Sequence, residues 1–280
     1  MHPQPHISII VAVYNRAATL QRCIDSVGNQ DYPCKELIII DGGSTDGTVD
    51  ILKANNHQIS YWESEADRGI YHAFNKGLEH VTGDWVYFLG ADDYLMDVGI
   101  LSRVADSLVK CEPGIRIVYG KVAIVSRDGQ VLAIHGEDYE RTRRKLPKVM
   151  PICHQGIFHR RSLFESHGGF DESFRISGDY ELLLREMKDR PAIFMADVVV
   201  AAILLGGASS KPGDALVVPL EEARARELNG FPVYHIAWLW VLMKAFARYS
   251  IQRSLGHEAF CRIGDLYRRL TGRPPVWTKM

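Results

Sequence analysis

Residues 7–13 form a run of apolar, mostly β-branched side chains with Ser8 as the one polar member, the pattern of a strand covered on both faces. A helical period follows over 17–27. A second apolar run at 37–40 ends in the turn-rich Asp41-Gly-Gly-Ser-Thr-Asp-Gly47, after which a helix is expected from Thr48. A short third strand at 59–62, a helix over 70–81 with Ile70, Ala73, Phe74, Gly77 and Leu78 at its apolar positions, and a fourth strand at 85–89 continue the alternation. Strands alternating with helices predict an α/β fold with a doubly wound, mostly parallel sheet, whose ligands bind beyond the carboxyl ends of the strands.

Past residue 120 the texture changes. A hairpin is expected around Asp128-Gly129, and the polar stretch 137–148, with Arg141, Arg143, Arg144, Lys145 and Lys148, reads as a mobile loop, either a solvated charge run or a lid over an anionic ligand. Regularity returns at Ile152. Residues 170–175 read as loop, 179–188 as a helix, 192–205 as a long apolar stretch closed by Gly206-Gly207, and the remainder as helical, amphipathic over 215–228 and rich in Trp and Leu over 233–255.

The chain has 280 residues, 46% hydrophobic and 24% charged, enough to bury one large core or two small ones. A net charge of -1 argues against a protein whose business is coating nucleic acid. The average conceals a split: residues 231–280 carry eight basic side chains against two acidic, about +6, so the rest is acidic. Val233, Ile236, Trp238, Leu239, Trp240, Val241, Leu242, Met243 and Phe246 then suit an interfacial helix at an anionic membrane surface, or packing on a neighbour. Five scattered cysteines indicate neither a disulfide framework nor a zinc site. The N-terminus lacks the features of a signal peptide, no run of about 18 apolar residues occurs, and a cytoplasmic location is expected.

Acidic residues gather where strands end: Asp41, Asp67, and the pair Asp92-Asp93. Asp41 and Asp46 also suit ordinary turn chemistry. The adjacent pair repels itself unless a cation or hydrogen-bond donors hold it, and hard oxygen ligands of this kind suit Mg²⁺ or Mn²⁺ on a substrate diphosphate. No G-x-G-x-x-G follows the first strand and no G-x-x-x-x-G-K-[ST] occurs, so a dinucleotide dehydrogenase and a P-loop NTPase lack their main signal.

Four stretches in order, Ile7-Ser-Ile-Ile-Val-Ala-Val-Tyr-Asn15, Ile38-Ile-Ile-Asp-Gly-Gly-Ser-Thr-Asp-Gly-Thr48, Asp67-Arg-Gly-Ile-Tyr-His-Ala-Phe-Asn-Lys-Gly77 and Gly83-Asp-Trp-Val-Tyr-Phe-Leu-Gly-Ala-Asp-Asp93, resemble family 2 glycosyltransferases of the GT-A fold. The flavour is similar to bacterial exopolysaccharide and lipopolysaccharide transferases of the colanic-acid type. The resemblance implies a nucleotide-sugar site lined by Ala12, Tyr14 and Asn15, with Asp41 accepting from the base or ribose. Asp67 and Arg68 would approach the base and diphosphate, Asp92 the ribose or sugar, and Asp93 would ligate Mn²⁺ or Mg²⁺. Ala91 stands where a literal D-x-D has its first acid, which implies coordination by a single carboxylate.

The stretch from His154-Gln155 to 177–181 resembles the acceptor half of the same family. Asp179 is the candidate general base there, Glu181 the fallback and His154 the less favoured third; a plain helix N-terminal acid is the structural alternative for Asp179. The expected organisation is a GT-A domain over 1–210, with a nucleotide-sugar half to about 120 and an acceptor half to 210, then a basic helical segment over 211–280. The implied activity is inverting transfer from a nucleotide sugar, a UDP-sugar foremost, to a hydroxyl of a glycan or lipid-linked acceptor in surface polysaccharide synthesis. Two rivals are a sugar nucleotidylyltransferase and a non-catalytic, membrane-docked nucleotide-sugar binder.

Overall fold

The computed structural model describes residues 4–126, 128–204, 214, 216–233, 235–272 and 278. β1 (Ile7–Val13) lies inside one continuous sheet, flanked in parallel by β2 (Lys35–Asp41) and β4 (Trp85–Gly90), with β3 (Tyr61–Ser64) outside β2. Alternation along β1 decides the layers. Ile7, Ile9, Val11 and Val13 enter a core with α1 (Ala17–Gly28), α2 (Thr48–Ala54) and α4 (Ile100–Leu108), while Ile10 enters the opposite core with α3 (Ile70–Leu78). Successive strand side chains point to opposite faces, so a strand apolar at nearly every position is what a sheet covered on both sides requires. α3 comes so close that a Cβ on Gly77 would stand 2.7 Å from Ile10 Cγ2.

The sheet then turns mixed. β4 pairs antiparallel with β8 (Ile157–Arg160), β8 antiparallel with β6 (Ile117–Val125), β6 parallel with β9 (Ala192–Leu204), and β9 antiparallel with β5 (Tyr94–Leu95). The expected hairpin joins β6 to β7 (Val131–His135). The core containing Ile10 also takes Leu163 of α6 (Arg161–His167), Leu182 and Leu183 of α7 (Gly178–Met187) and Ala225 of α8 (Val217–Leu228).

Several elements differ from the expectation. The strand expected at 59–62 spans 61–64, and α3 stops at Leu78 because Glu79 and His80 bond back to carbonyls three residues earlier, a tightening that ends the helix. α4 and α6 were not anticipated from the pattern. The stretch 137–148, expected as a mobile loop, contains α5 (Tyr139–Lys145). Asp138 caps it by accepting the Arg141 N–H at 3.0 Å, and Arg143, Arg144 and Lys145 complement the dipole in its last turn. Thr142 and Leu146 are buried beneath it and Tyr180 Oη donates to the Leu146 carbonyl at 2.5 Å, so this helix is fastened to the core rather than poised as a lid. The end of the apolar stretch at 205–207 lies outside the described residues. α9 (His235–Leu270) runs well past 255 and is broken at Gly256, whose φ is 81°. Among the described residues no helix is long and apolar enough to cross a membrane.

Strand register brings the carboxyl ends level: Val13 lies beside Asp41, Asp41 beside Ser64, and Ala12 beside Gly90. β2 sits on one side of β1 and β4 on the other, so the winding reverses there, and the loops after these strands open a crevice at the reversal.

Candidate active site

Two loops on the parallel half are laced together at this edge. Asn15 adopts φ 51°, a left-handed conformation that asparagine tolerates. Its N–H donates to Ser44 Oγ at 2.7 Å and its Oδ1 accepts the Thr45 N–H at 2.9 Å. Arg16 N donates to Thr48 Oγ1 and Ala17 N to Asp46 Oδ2, both at 3.0 Å, so Asp46 caps α1 from the neighbouring loop. Ala12 is half-buried beneath, and Tyr14 stands 60% exposed.

Asp41 does not take the place expected of it. It is fully buried, and its carboxylate accepts from Ser44 N (2.9 Å), Ser44 Oγ (2.5 Å) and Ser64 Oγ (2.6 Å), which leaves it no surface for a base or ribose. Asp67 fills the space nearby. Its Oδ1 accepts the Gly69 N–H at 2.8 Å, and a Cβ on Gly42 would stand 2.5 Å from its Oδ2, so the absence of a side chain at 42 admits this carboxylate. Arg68 is exposed and pairs with Glu172 at 2.6 Å.

The acidic pair after β4 divides by direction. Asp93 is 2% exposed; Gln155 Nε2 donates to its Oδ2 at 2.9 Å and the Leu204 N–H to its Oδ1 at 3.2 Å. Burial, with the charge of Asp92 added, raises the Asp93 carboxyl from 3.8 to about 7 against those two hydrogen bonds. Asp92 is the more open of the two, with Arg16 Nε 3.8 Å from its Oδ2. Both carboxylates converge over Gly90, where a Cβ would stand 2.4 Å from Asp93 Oδ2 and 3.2 Å from Asp92 Oδ1. One face of α1 grips this turn: Thr19 Oγ1 donates to the Ala91 carbonyl at 3.0 Å, Arg22 Nη2 to the Asp92 carbonyl at 3.1 Å, and Arg22 stacks over the Tyr94 ring. The i, i+3 spacing of Thr19 and Arg22 is the signal that would have placed them on one face.

A cation here would find oxygen donors of the right hardness in the Asp92–Asp93 convergence and a carboxyl whose charge burial opposes, and the residues fit it. Among the described residues no cluster of three or more acidic, His or Cys side chains forms a closed cage. Its other ligands would then be substrate phosphate and water.

The acceptor half meets this turn through a single 3₁₀ turn, His154–Gly156. Gln155 reaches Asp93, and His154 Nδ1 lies 3.7 Å from Asp179 Oδ2. His154 stands among Phe74, Phe88, Phe170 and His159, its Nε2 buried without a hydrogen-bond partner among the described residues. Burial holds its pKa below the usual 6.5, opposed by the charge of Asp179, and keeps it neutral at pH 7. Asp179 sits in the first turn of α7. Its Oδ1 accepts the Tyr180 N–H at 2.9 Å, with the Tyr71 hydroxyl oxygen 3.3 Å away, leaving Oδ2 toward His154. Glu181, the fallback base, points the other way: it is buried against Arg185 at 2.9 Å and Asn229 at 3.2 Å, held in the α7–α8 contact.

Comparison with known proteins finds similarity over most of the chain. The family model described as glycosyl transferase family 2 matches residues 8–168. A "PGL/p-HBAD biosynthesis glycosyltransferase" of Mycobacterium bovis is 35% identical over 212 residues, 74% of this chain and 80% of that protein. A chondroitin synthase of Pasteurella multocida is 29% identical over 192 residues, 66% of this chain and 19% of that protein. Among solved structures, a mannosyltransferase of Pyrobaculum calidifontis in complex with GDP-Man and Mn²⁺ superposes with a TM-score of 0.64 at 22% identity, covering 99% of this chain and 84% of that one. TarS 1–349 of S. aureus in complex with UDP-GlcNAc superposes with a TM-score of 0.62 at 18% identity, covering 94% and 77%.

Proposed function

The chain belongs to glycosyl transferase family 2 and is a glycosyltransferase of the GT-A fold, and from that premise we propose that it transfers a sugar with inversion from a nucleotide sugar, a UDP-sugar foremost, to an acceptor hydroxyl. The observation that carries this reading is the pair of consecutive residues His154 and Gln155, which touch Asp179 and Asp93 respectively. The candidate base and the candidate diphosphate-side acid are thus both met from one short 3₁₀ turn, His154–Gly156.

In this reading residues 1–120 form the donor half and 121–210 the acceptor half. Asp67 meets the base from above Gly42, while Tyr14 and Asn15 line the loop beside it. Asp93 would hold Mn²⁺ or Mg²⁺, which would offset the charge of the departing diphosphate, and Asp92 would face the ribose or sugar. Asp179 takes the acceptor hydroxyl proton at Oδ2 as that oxygen attacks the anomeric carbon; the bond from that carbon to the phosphate oxygen breaks, and the nucleoside diphosphate leaves. The neighbours solved with UDP-GlcNAc and with GDP-Man and Mn²⁺ support a nucleotide-sugar donor and a metal.

We also propose a lipid-linked acceptor, met at an anionic membrane surface where surface polysaccharide is built, on the cytoplasmic side. α9 supports it: Leu239, Trp240, Met243 and Phe246 are exposed opposite the buried Ala245, flanked by exposed Lys244 and Arg253. Past Gly256, Ile263, Leu266, Tyr267 and Leu270 repeat the pattern opposite Cys261, beside exposed Arg262 and Arg269. The side chain of Ile236, also expected on this face, lies outside the described residues. The test is incubation with UDP-glucose, UDP-N-acetylglucosamine or GDP-mannose, Mn²⁺ and a bacterial lipid extract. Release of nucleoside diphosphate is expected; nucleoside triphosphate formed only when pyrophosphate is added would indicate a nucleotidylyltransferase, and saturable binding without either product a non-catalytic binder.

A further inference from the structure

α8 lies beyond the residues matched by the family model and carries none of the motifs. Its Glu221 nevertheless reaches the turn that presents Asp179. The carboxylate accepts three consecutive backbone N–H groups, Arg175 N on Oε1 at 2.6 Å and Ile176 N and Ser177 N on Oε2 at 2.8 Å each. α7 begins at Gly178 with no side-chain cap from Ser177. The orphan donors at and before its start therefore depend on a carboxylate 44 to 46 residues away in sequence.

The same turn is pressed from the opposite side. Tyr71 Oη donates to the Ile176 carbonyl, and a Cβ on Gly178 would stand 2.8 Å from the Tyr71 ring. α8 grips the chain on either flank as well: Arg224 Nη2 donates to Ser173 Oγ at 2.6 Å and stacks over Phe174, and Asn229 Nδ2 donates to Glu181. Tyr71 and Glu221 thus both hold the backbone from 175 to 178, the residues immediately before Asp179.

We propose that Glu221 is a positioning residue for the transfer step, holding the 175–177 turn so that Asp179 Oδ2 faces the acceptor hydroxyl; this rests on the reading of Asp179 as the base. Removing it frees three N–H groups and lets the turn drift, and a misplacement of about 1 Å costs on the order of 100-fold in rate. Glu221 bonds to 175–177 and to none of the donor-side residues Tyr14, Asn15, Asp67, Asp92 or Asp93, so donor affinity is expected to hold.

The test uses the full chain carrying Glu221→Ala or Glu221→Gln. Hydrogen exchange at the amides of 175–177 should quicken by about tenfold or more in Glu221→Ala, while those of Leu183 and Leu184 hold. With whichever of UDP-glucose, UDP-N-acetylglucosamine or GDP-mannose gives nucleotide release, kcat should fall by about 10- to 100-fold and donor KM stay within about twofold. Glu221→Gln should fall between, since its one carbonyl oxygen can still accept from 176 and 177, and it alone carries the test if Glu221→Ala does not fold. In an Asp179→Asn background, Glu221→Ala should add no further loss. Unchanged kcat in the single variants, or an equal added loss in that background, overturns the proposal while leaving the base in place. Near-normal turnover of Asp179→Asn itself overturns the base reading and this proposal with it.

Discussion

Asp93→Asn separates the stability lost to a buried carboxylate from the use made of it. In the native chain the Asp93 carboxyl lies near 7 instead of its ordinary 3.8, raised by burial and by Asp92. Between about pH 4 and pH 7 the folded chain therefore holds a proton that the unfolded chain has released. A raised carboxylate favours the folded state only while it stays protonated, so stability falls as pH rises through this window. The fall is about 1.4 kcal/mol per pH unit, or about 4 kcal/mol in all. Exposure of 2% means that solvent screens little of it. Asparagine carries no such proton, so the unfolding free energy of the variant minus that of the wild type should climb by about 4 kcal/mol from about pH 4 to about pH 8. A constant offset lies beneath this slope. Gln155 Nε2 and the Leu204 N–H both donate to Asp93, and an amide accepts on one oxygen only, which costs about 1–3 kcal/mol at every pH. The variant should thus be the less stable protein in acid and the more stable above neutrality. Urea unfolding in EDTA across this range measures the difference, in which the other carboxylates cancel. A difference flat to within about 1 kcal/mol would refute the reasoning. Added Mn²⁺ at about pH 8 should then raise the wild-type midpoint and leave the variant unmoved; equal stabilisation of both would remove Asp93 from the metal site.

Asp179→Asn should lower kcat by about 100- to 10,000-fold with donor KM within about twofold, read from steady-state kinetics; near-normal turnover would move the base elsewhere. Gly42→Ala should raise donor KM about tenfold or more at little change in kcat, because its Cβ would push Asp67 Oδ2 from 2.5 Å while Oδ1 stays tied to Gly69; an unchanged KM would separate Asp67 from the donor. Vesicles containing phosphatidylglycerol should sediment with the chain at low salt and less so at high salt. Replacing Leu239, Met243 and Phe246 together by serine should weaken that binding more than tenfold, given about 1.5–3 kcal/mol for each large apolar side chain buried. Salt-independent sedimentation, or none at all, would assign the exposed stripe another role.

Local pattern determined much of this protein. β1 was legible to the residue because a strand buried on both faces must be apolar at nearly every position, and the acids after β2, β3 and β4 were legible because turns at strand ends follow their own chemistry. The resemblance to the family nominated Asp93 and Asp179 for the metal and the base. What pattern could not supply was the direction of each side chain. Asp41 and Asp67 are both acids after strands, yet Asp41 is consumed by Ser44 and by Ser64, 23 residues on, while Asp67 keeps an oxygen free over Gly42. Asp92 and Asp93 are neighbours, and only the Gln155 and Leu204 contacts, 62 and 111 residues away, turn Asp93 inward. α8 packing on α7 ties Glu181 to Asn229 and brings Glu221 to the 175–177 turn. Even α5, whose cap and end charges are local, shows its buried face only where Thr142 and Leu146 meet the core. Hydrogen bonds between residues far apart in sequence leave no periodicity, since each partner satisfies its own local rules equally well alone; the packing of sheet and helices decides which acids are buried and which stay open at the sheet edge.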